Sequence, residues 1–172
     1  VNSTANASPS ISFRAWDKTS GSAGGTTNPN ATGGNNAVSS ATDTASLTVT
    51  AVNDAPTTAS KTVTMDEDTD YTFSAADFSF TDIDGDSLAS VTLQLPSAGQ
   101  LLLNNVVQSS AITVAAANLG TVKFRPAPDA YGATYATLSF TVSDGSASSA
   151  AATLTFKVTD TNDAPTNIDW ST

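Results

Sequence analysis

The chain has 172 residues and a strongly acidic balance: fifteen aspartates and one glutamate against six lysines and arginines, no histidine, and a formal net charge of −10. Nucleic acids and anionic membrane surfaces bind cationic faces, so this balance argues against both and favours a multivalent cation as partner. No cysteine is present to form a disulfide. No apolar run approaches the ~18 residues of a membrane span. We therefore expect neither nucleic-acid binding nor direct membrane insertion.

Residues 1–54 repeat the end of the segment that follows them. The sequence at 11–17 resembles that at 138–144, and Asn-Asp-Ala-Pro at 53–56 recurs at 162–165. Self-similarity of this kind is typical of tandem arrays. Because proline cannot donate to a strand ladder, we interpret both copies of the tetrapeptide as joints between modules.

The repeat predicts where the modules begin and end. We expect residues 1–54 to be the C-terminal part of a truncated module, with two strands joined by a long mobile loop at 18–40 that is rich in glycine, serine and asparagine. The second of these strands carries Leu47, Val49 and Ala51. Residues 55–163 then form a complete module, and residues 164–172 begin another.

Within the complete module, apolar and polar residues alternate over short stretches, and this period of two predicts half-buried strands. The predicted strands lie within 61–65, 70–75, 91–95, 101–107, 112–114, 122–124, 136–142 and 152–158, with one helical turn within 75–80. About seven short strands in ~110 residues, separated by frequent turn signals, are typical of a β-sandwich. The pattern predicts an all-β fold, an antiparallel Greek-key sandwich of the immunoglobulin-like kind.

The expected strand directions sort the acidic residues toward two ends of this sandwich. The first and last strands run away from the end where the module begins, and the strands that follow the first and precede the last return to it. The upper pole, at that end, gathers Asn53, Asp54, Asp82, Asp84, Asp86 and Asp144. The lower pole, at the opposite end, gathers Asp66, Glu67, Asp68, Asp129, Asp160, Asn162 and Asp163. Each pole includes one joint.

Carboxylates gathered in this way repel one another unless a cation neutralises them. Calcium binds roughly 6 to 8 carboxylate, amide and backbone oxygens with flexible geometry, whereas zinc and copper favour the histidine and cysteine that this chain lacks. The Asp82-Ile-Asp-Gly-Asp86 loop is not an EF-hand loop, because Ser87 and Leu93 stand where that motif has glycine and glutamate. Ordinary turn chemistry explains any single aspartate. It gives no reason for acids to gather at joints, so we predict calcium as the cofactor.

Several of these motifs resemble those of cadherin repeats. Asp160-Thr-Asn-Asp-Ala-Pro165 resembles their linker, Asp82-Ile-Asp84 their paired-aspartate loop, and Asp144 the aspartate before their last strand. Glu67 stands where cadherins have a glutamate facing the linker, and Asp129 lies in a loop that carries further acidic ligands in that family.

The sequences of these motifs are most similar to those of the cadherin-like tandem repeats of very large bacterial surface and type I secreted adhesins. This resemblance implies an extracellular extender module, stiffened by calcium at its joints with neighbouring repeats of the same chain. In some relatives it implies self-association or carbohydrate binding.

Carbohydrate binding and catalysis are two other classes of function to weigh against the sequence. A carbohydrate-binding module needs exposed aromatic faces, and the candidates are Trp16, Tyr131, Tyr135 and Trp170. We favour packing at strand ends or a tyrosine corner as the explanation of these aromatics. An enzyme is not expected, because the acids are assigned to the poles and no histidine or cysteine offers a nucleophile pair.

Overall fold

Strands dominate the regular structure of the chain, as its threonine- and valine-rich composition predicts. The computed structural model describes residues 8–16 and 38–162. Asp163, Trp170, the predicted start of a further module and most of the predicted loop at 18–40 lie outside these ranges. The chain divides into two units, Val1–Val52 and Asn53–Thr172. No helix in the described part is long and apolar enough to cross a membrane.

The first unit contains a two-stranded antiparallel sheet. Strand β1 (Ser10–Phe13) pairs with β2 (Asp43–Ser46). Strand β2 lies earlier in the chain than the predicted strand at Leu47, Val49 and Ala51. Leu47 still donates its N–H to the carbonyl of Pro9 at 3.0 Å, but Pro9 has no N–H to return, so the ladder ends there.

The β1–β2 hairpin has an apolar face that is exposed. Ile11 and Leu47, which share one face, are 70% and 65% exposed. Alternation shows which residues share a face, whereas burial of that face also needs a second sheet or another chain to pack against.

The second unit contains two sheets. Their strands are β3 (Lys61–Asp66), β4 (Tyr71–Thr72), β5 (Ser90–Leu93), β6 (Gln100–Leu103), β7 (Val106–Val107), β8 (Ile112–Ala115), β9 (Val122–Arg125), β10 (Gly132–Ser143) and β11 (Ala152–Thr159). Short 3₁₀ helices cover Ala75–Asp77 and Ala116–Thr121. One sheet has the order β3-β11-β10-β5-β8, and the other has the order β4-β9-β6-β7.

These sheets confirm the predicted all-β sandwich and refine its elements. The β5 strand ends at Leu93, so Leu95 lies beyond it and is exposed. The helical turn covers only the first part of the predicted stretch 75–80. The pairing of β3 with β11 is parallel, while every other strand pair in the described residues is antiparallel. A parallel pair follows because the first and last strands of the unit run in the same direction.

Inward-facing residues of both sheets form one hydrophobic core. Five phenylalanines are almost fully buried in it: Phe73, Phe78, Phe124, Phe140 and Phe156. The rings of Phe124 and Phe156, from opposite sheets, stack with centroids 3.9 Å apart. Each such side chain contributes roughly 1.5–3 kcal/mol through burial, so the core holds the loops at both ends without a disulfide.

A buried carboxylate, Asp77, ties β3 and β4 to the first 3₁₀ helix. It accepts hydrogen bonds from Lys61 Nζ at 3.0 Å, from Tyr71 Oη at 2.7 Å and from the backbone N–H of Ser74 at 2.9 Å. Burial raises the pKa of Asp77, but these hydrogen bonds together hold it below its usual value. Burial and its hydrogen bond to Asp77 raise the pKa of Tyr71. This network is structural, since it lies among the elements of the core.

Candidate metal centre

Three loops bring the upper-pole residues together. Asn53 and Asp54 precede β3, Asp82 and Asp84 lie in the loop that leads to β5, and Asp144 follows β10. Asn53 Nδ2 donates to Asp144 Oδ2 at 3.1 Å, and the backbone N–H of Asp54 donates to Asp84 Oδ2 at 2.7 Å. The joint residues are therefore bound to the carboxylates of the loops at the same end.

Asp82 shapes its own loop. Its Oδ1 accepts the backbone N–H groups of Asp84 at 2.8 Å and Asp86 at 3.3 Å. Gly85 allows the bend with φ of +83°, a conformation that side chains disfavour. Asp86 itself is exposed, and its contribution to the pole in this structure is the backbone N–H that it donates.

Asp144 shapes the turn after β10 in the same way. Its Oδ1 accepts backbone N–H groups from Ser146 at 2.6 Å and Ala147 at 2.7 Å. The bond from Ala147, then that from Ser146 and to a smaller extent the Asn53 amide lower the pKa of Asp144. The carboxylate is thus held ionised, with Oδ1 committed to its own turn and Oδ2 directed at the joint.

Two carboxylate oxygens of the upper pole are buried without a hydrogen-bond donor: Asp82 Oδ2 and Asp84 Oδ1. An unsatisfied buried polar group costs about 1–3 kcal/mol, and more when it is charged, so such atoms require an explanation. The ion pairs of the described residues join Lys61 to Asp77 and Lys123 and Arg125 to Asp70, so none of these cations reaches the upper pole.

The donor set fits a hard cation that accepts neutral as well as charged oxygens. Among the described residues, no group of three or more acidic side chains is close enough to hold a metal ion alone. Calcium does not require such a group, because amide and backbone carbonyls and water complete its shell. Asn53 and the backbone of the joint carry carbonyls of this kind at the same end of the sandwich as the two carboxylate oxygens that lack donors.

At the lower pole a hydroxyl as well as backbone N–H groups donates to the carboxylates, and no carboxylate oxygen among its described residues is buried without a donor. Glu67 is only 2% exposed; its Oε1 accepts the N–H of Thr161 at 2.8 Å, and its own N–H donates to Thr159 O at 3.0 Å. Asp66 accepts the Thr159 hydroxyl. The parallel pairing of β3 with β11 produces these contacts by placing Asp66 opposite Thr159.

The other predicted lower-pole residues lie in two loops. Asp129 donates its N–H to Asp68 Oδ1 at 3.2 Å, and both residues have left-handed backbone conformations. Asp160 and Asn162 follow β11 and are exposed. In the described residues, the carboxylate oxygens that are buried without a donor are confined to the upper pole.

The aromatic candidates for sugar binding differ in their surroundings. Tyr135 Oη accepts the N–H of Ala127 at 2.9 Å, and its ring packs on Phe124 with centroids 6.3 Å apart, so Tyr135 serves packing. Trp16 forms an isolated bridge with Val38 in the first unit. Tyr131 is 61% exposed, so most of its side chain is accessible.

The sequence did not identify the backbone N–H groups as partners of the pole residues. Asp54, for example, was selected for its carboxylate, yet it is the backbone N–H of Asp54 that donates to Asp84 and its backbone carbonyl that accepts from Asn53. A backbone donor carries no residue-type signal, so only the folded loop reveals it.

The sequence model of a family described as a cadherin-like domain matches residues 52–159, most of the second unit. No curated protein and no solved structure matches the chain.

Proposed function

The chain belongs to the cadherin-like domain family, and we propose that it is a calcium-binding extender module of a large extracellular adhesin of bacteria. In this proposal, cations at the joints between neighbouring repeats stiffen the array, and the module itself performs no catalysis. The observation that carries the proposal is the pair of buried carboxylate oxygens without donors, Asp82 Oδ2 and Asp84 Oδ1, beside an Asn-Asp joint.

Turn chemistry is the simpler explanation of acidic loops, but it accounts for only two of the six carboxylate oxygens of Asp82, Asp84 and Asp144. Asp82 Oδ1 and Asp144 Oδ1 each accept two backbone N–H groups, as aspartates commonly do in turns. The second oxygen of Asp82 and Oδ1 of Asp84 take no part in such bonds. A cation gives these oxygens a partner and offsets the repulsion among the pole's carboxylates.

The residues that would hold calcium at the upper pole are Asp82, Asp84, Asp144 and Asn53. The ion would supply positive charge between the joint and the loops. The chain's own residues would convert that charge into stiffness: Asp84 binds the backbone of Asp54, Asp144 binds the side chain of Asn53, and both loops are anchored to the core sheets. A joint held at several points bends less and is cleaved more slowly by proteases.

Thermal unfolding in the presence of calcium or of a chelator tests this function. We expect the protein to melt higher in calcium, and we expect magnesium to substitute poorly, because it is bound reluctantly by flexible, largely dehydrated oxygen cages. An unchanged melting temperature across the three media would contradict the proposal. Equal stabilisation by magnesium would exclude a calcium-selective site and leave a general charge effect.

Self-association is a second candidate function, favoured by the apolar face of the β1–β2 hairpin. Ile11, Phe13 and Leu47 share that face and are exposed. Such a face is typical of surfaces that pack against a partner. A second copy of the hairpin offers a matching edge and face.

A further inference from the structure

Strand β8 lies at one edge of the five-stranded sheet and pairs there with β5. Opposite residues of an antiparallel pair exchange hydrogen bonds at every second position. The N–H of Ala116 donates to Ala89 O at 2.9 Å, just beyond the last residue of β8. Counting back from Ala116, the backbone groups of Thr113 and Ala115 therefore point away from β5, toward the free edge of the sheet.

These edge groups border a cavity. In the part of the chain that the structure describes, the N–H and carbonyl of Thr113 and the N–H of Ala115 have no hydrogen-bond partner. The cavity has a volume of about 390 Å³ and is lined by residues 113–115, by Leu103 and Asn104 from the end of β6 and the turn after it, and by Asn118 of the second 3₁₀ helix. Its size is within the roughly 300–1,000 Å³ of ligand pockets. We call it the β8 groove.

The β8 groove has no charged lining. Residues 87–122, which contain β5 to β8 and the second 3₁₀ helix, include no acidic or basic side chain, although the chain carries a net charge of −10. Lys123 follows this stretch, but its ammonium lies 3.6 Å from Asp70 Oδ2. A charge that leaves water needs a partner of opposite charge, so the groove favours a neutral ligand.

Two side-chain amides add neutral hydrogen-bonding groups. Those of Asn104 and Asn118 have no partner within the described residues, so each can donate and accept. The N–H of Asn104 donates to Thr121 O at 2.9 Å, and the Thr121 hydroxyl donates to Asn118 O at 2.7 Å. These bonds join the turn to the 3₁₀ helix, so both amides are held in place beside β8.

An extended peptide fits this set of groups better than a sugar does. The N–H groups of Thr113 and Ala115 are two residues apart on a strand, about 6.6–6.8 Å, and the main chain of an added strand repeats at the same distance. Sugars bind to aromatic faces, and no described residue that lines the groove is aromatic.

We propose that the β8 groove binds an extended, uncharged peptide segment of another protein, which joins the five-stranded sheet as a sixth strand beside β8. The main chain of the peptide pairs with Thr113 and Ala115, and its neutral side chains contact Leu103, Asn104 and Asn118. No residue of either pole takes part, so this binding does not depend on calcium. It gives the module a partner in addition to the neighbouring repeats.

The probe is a peptide that copies residues 44–51, acetylated and amidated to remove its terminal charges. It is uncharged and alternates apolar with polar residues. In ¹⁵N–¹H spectra of the full chain, we expect peptide at about 1 mM to shift the amide signals of Thr113 and Ala115 and to slow their exchange with solvent. Unchanged signals and exchange at these two amides overturn the proposal.

A charged peptide tests the neutral lining. Thr48→Lys in the probe adds one positive charge, which the net charge of −10 attracts from a distance. The groove offers that charge no partner, so we expect the lysine peptide to bind no more tightly than the neutral probe. Tighter binding would mean that overall charge rather than the groove holds the peptide, and it would contradict the proposal.

Two substitutions at one position separate the backbone of β8 from its side chain. Thr113→Pro removes an edge N–H, and proline is tolerated where the N–H of an edge strand faces outward. We expect it to weaken binding of the probe about five- to tenfold, as loss of one hydrogen bond does. The matched control, Thr113→Ala, keeps the N–H and should bind as the parent does. Equal affinity in the two variants contradicts strand pairing at β8.

Asn118→Asp provides the test if the proline variant melts lower than Thr113→Ala. It places a charge in the groove on an exposed side chain of the same size, and it should weaken binding of the probe about threefold or more. Unchanged affinity contradicts the proposal. Light scattering detects a different occupant: if Thr113→Pro, but not Thr113→Ala, dissociates an oligomer of the full chain, the groove holds a second copy and the peptide site is wrong.

Discussion

Asp84→Ala should lower the stability of the protein in calcium but not in chelator. Without a cation, the substitution removes the hydrogen bond from the Asp54 N–H to Oδ2, at 2.7 Å, which contributes about 1 kcal/mol. It also removes Oδ1, a buried oxygen without a donor, whose presence costs about 1–3 kcal/mol. The two changes oppose each other, so in chelator we expect the variant to be as stable as the parent or slightly more stable.

With calcium the balance reverses. Sites in extracellular modules have Kd of about 10⁻⁴ to 10⁻³ M, so about 10 mM calcium stabilises the parent by about 1.4–2.7 kcal/mol for one site. For a unit of ~110 residues this corresponds to a rise in Tm of about 5–15 °C. Asp84→Ala loses one of the two oxygens without donors and should gain little of this stabilisation.

The assay is thermal unfolding followed by circular dichroism, with parent and variant each measured in chelator and in calcium. Asp43→Ala is the matched control, because it removes the same charge from an exposed position on β2. It should respond to calcium as the parent does. If Asp84→Ala is destabilised equally in both media, the oxygen without a donor is not a cation ligand and the reasoning fails.

Three other predictions concern the lower pole, the core and the first unit. Glu67→Ala should loosen the segment after β11, because Glu67 Oε1 accepts the Thr161 N–H there, and it should leave calcium binding at the upper pole intact. Loss of the upper-pole ion in calorimetry would contradict the strand directions, which place Glu67 at the opposite end. Asp77→Asn should make the free energy of unfolding depend less steeply on pH in the acid range. The pKa of Asp77 is lowered in the folded protein, so its contribution is complete above about pH 4 and is lost as the pH falls below that value. An acid limb as steep in the variant as in the parent would count against this assignment. The exposed hairpin face in residues 1–52 should make the full chain dimeric, whereas a chain beginning at Ala55 should be monomeric. Light scattering on both chains checks this. If both are monomeric and the hairpin is ordered, the apolar face is covered within its own chain.

The sequence predicted the features that follow from strand alternation and strand direction. A period of two located the long strands β10 and β11, because a buried sheet face demands alternation. The direction of successive strands also brought Asn53 and Asp144 to the same end, although 91 positions separate them. These are consequences of topology, and they need no knowledge of side-chain geometry.

Other features depend on neighbours that no pattern specifies. Leu47 continues the apolar alternation, yet β2 ends before it because the facing residue is Pro9 and no layer in the described residues covers it. Tyr131 and Tyr135 look alike in sequence, but only Tyr135 finds a backbone N–H for its hydroxyl and a ring to pack against. At the pole, sequence identified the aspartates, while the assignment of each oxygen required the folded loops.

Calorimetric titration of calcium into the full chain tests the proposed metal site most directly, with the Asp82→Ala/Asp84→Ala double variant as comparison. For the parent we expect saturable binding with Kd of about 10⁻⁴ to 10⁻³ M and much weaker binding of magnesium. In the double variant the upper-pole site should be lost, because the two oxygens that lack donors are gone. Absence of calcium binding to the parent, or unchanged stoichiometry and affinity in the double variant, would contradict a calcium site at the upper pole.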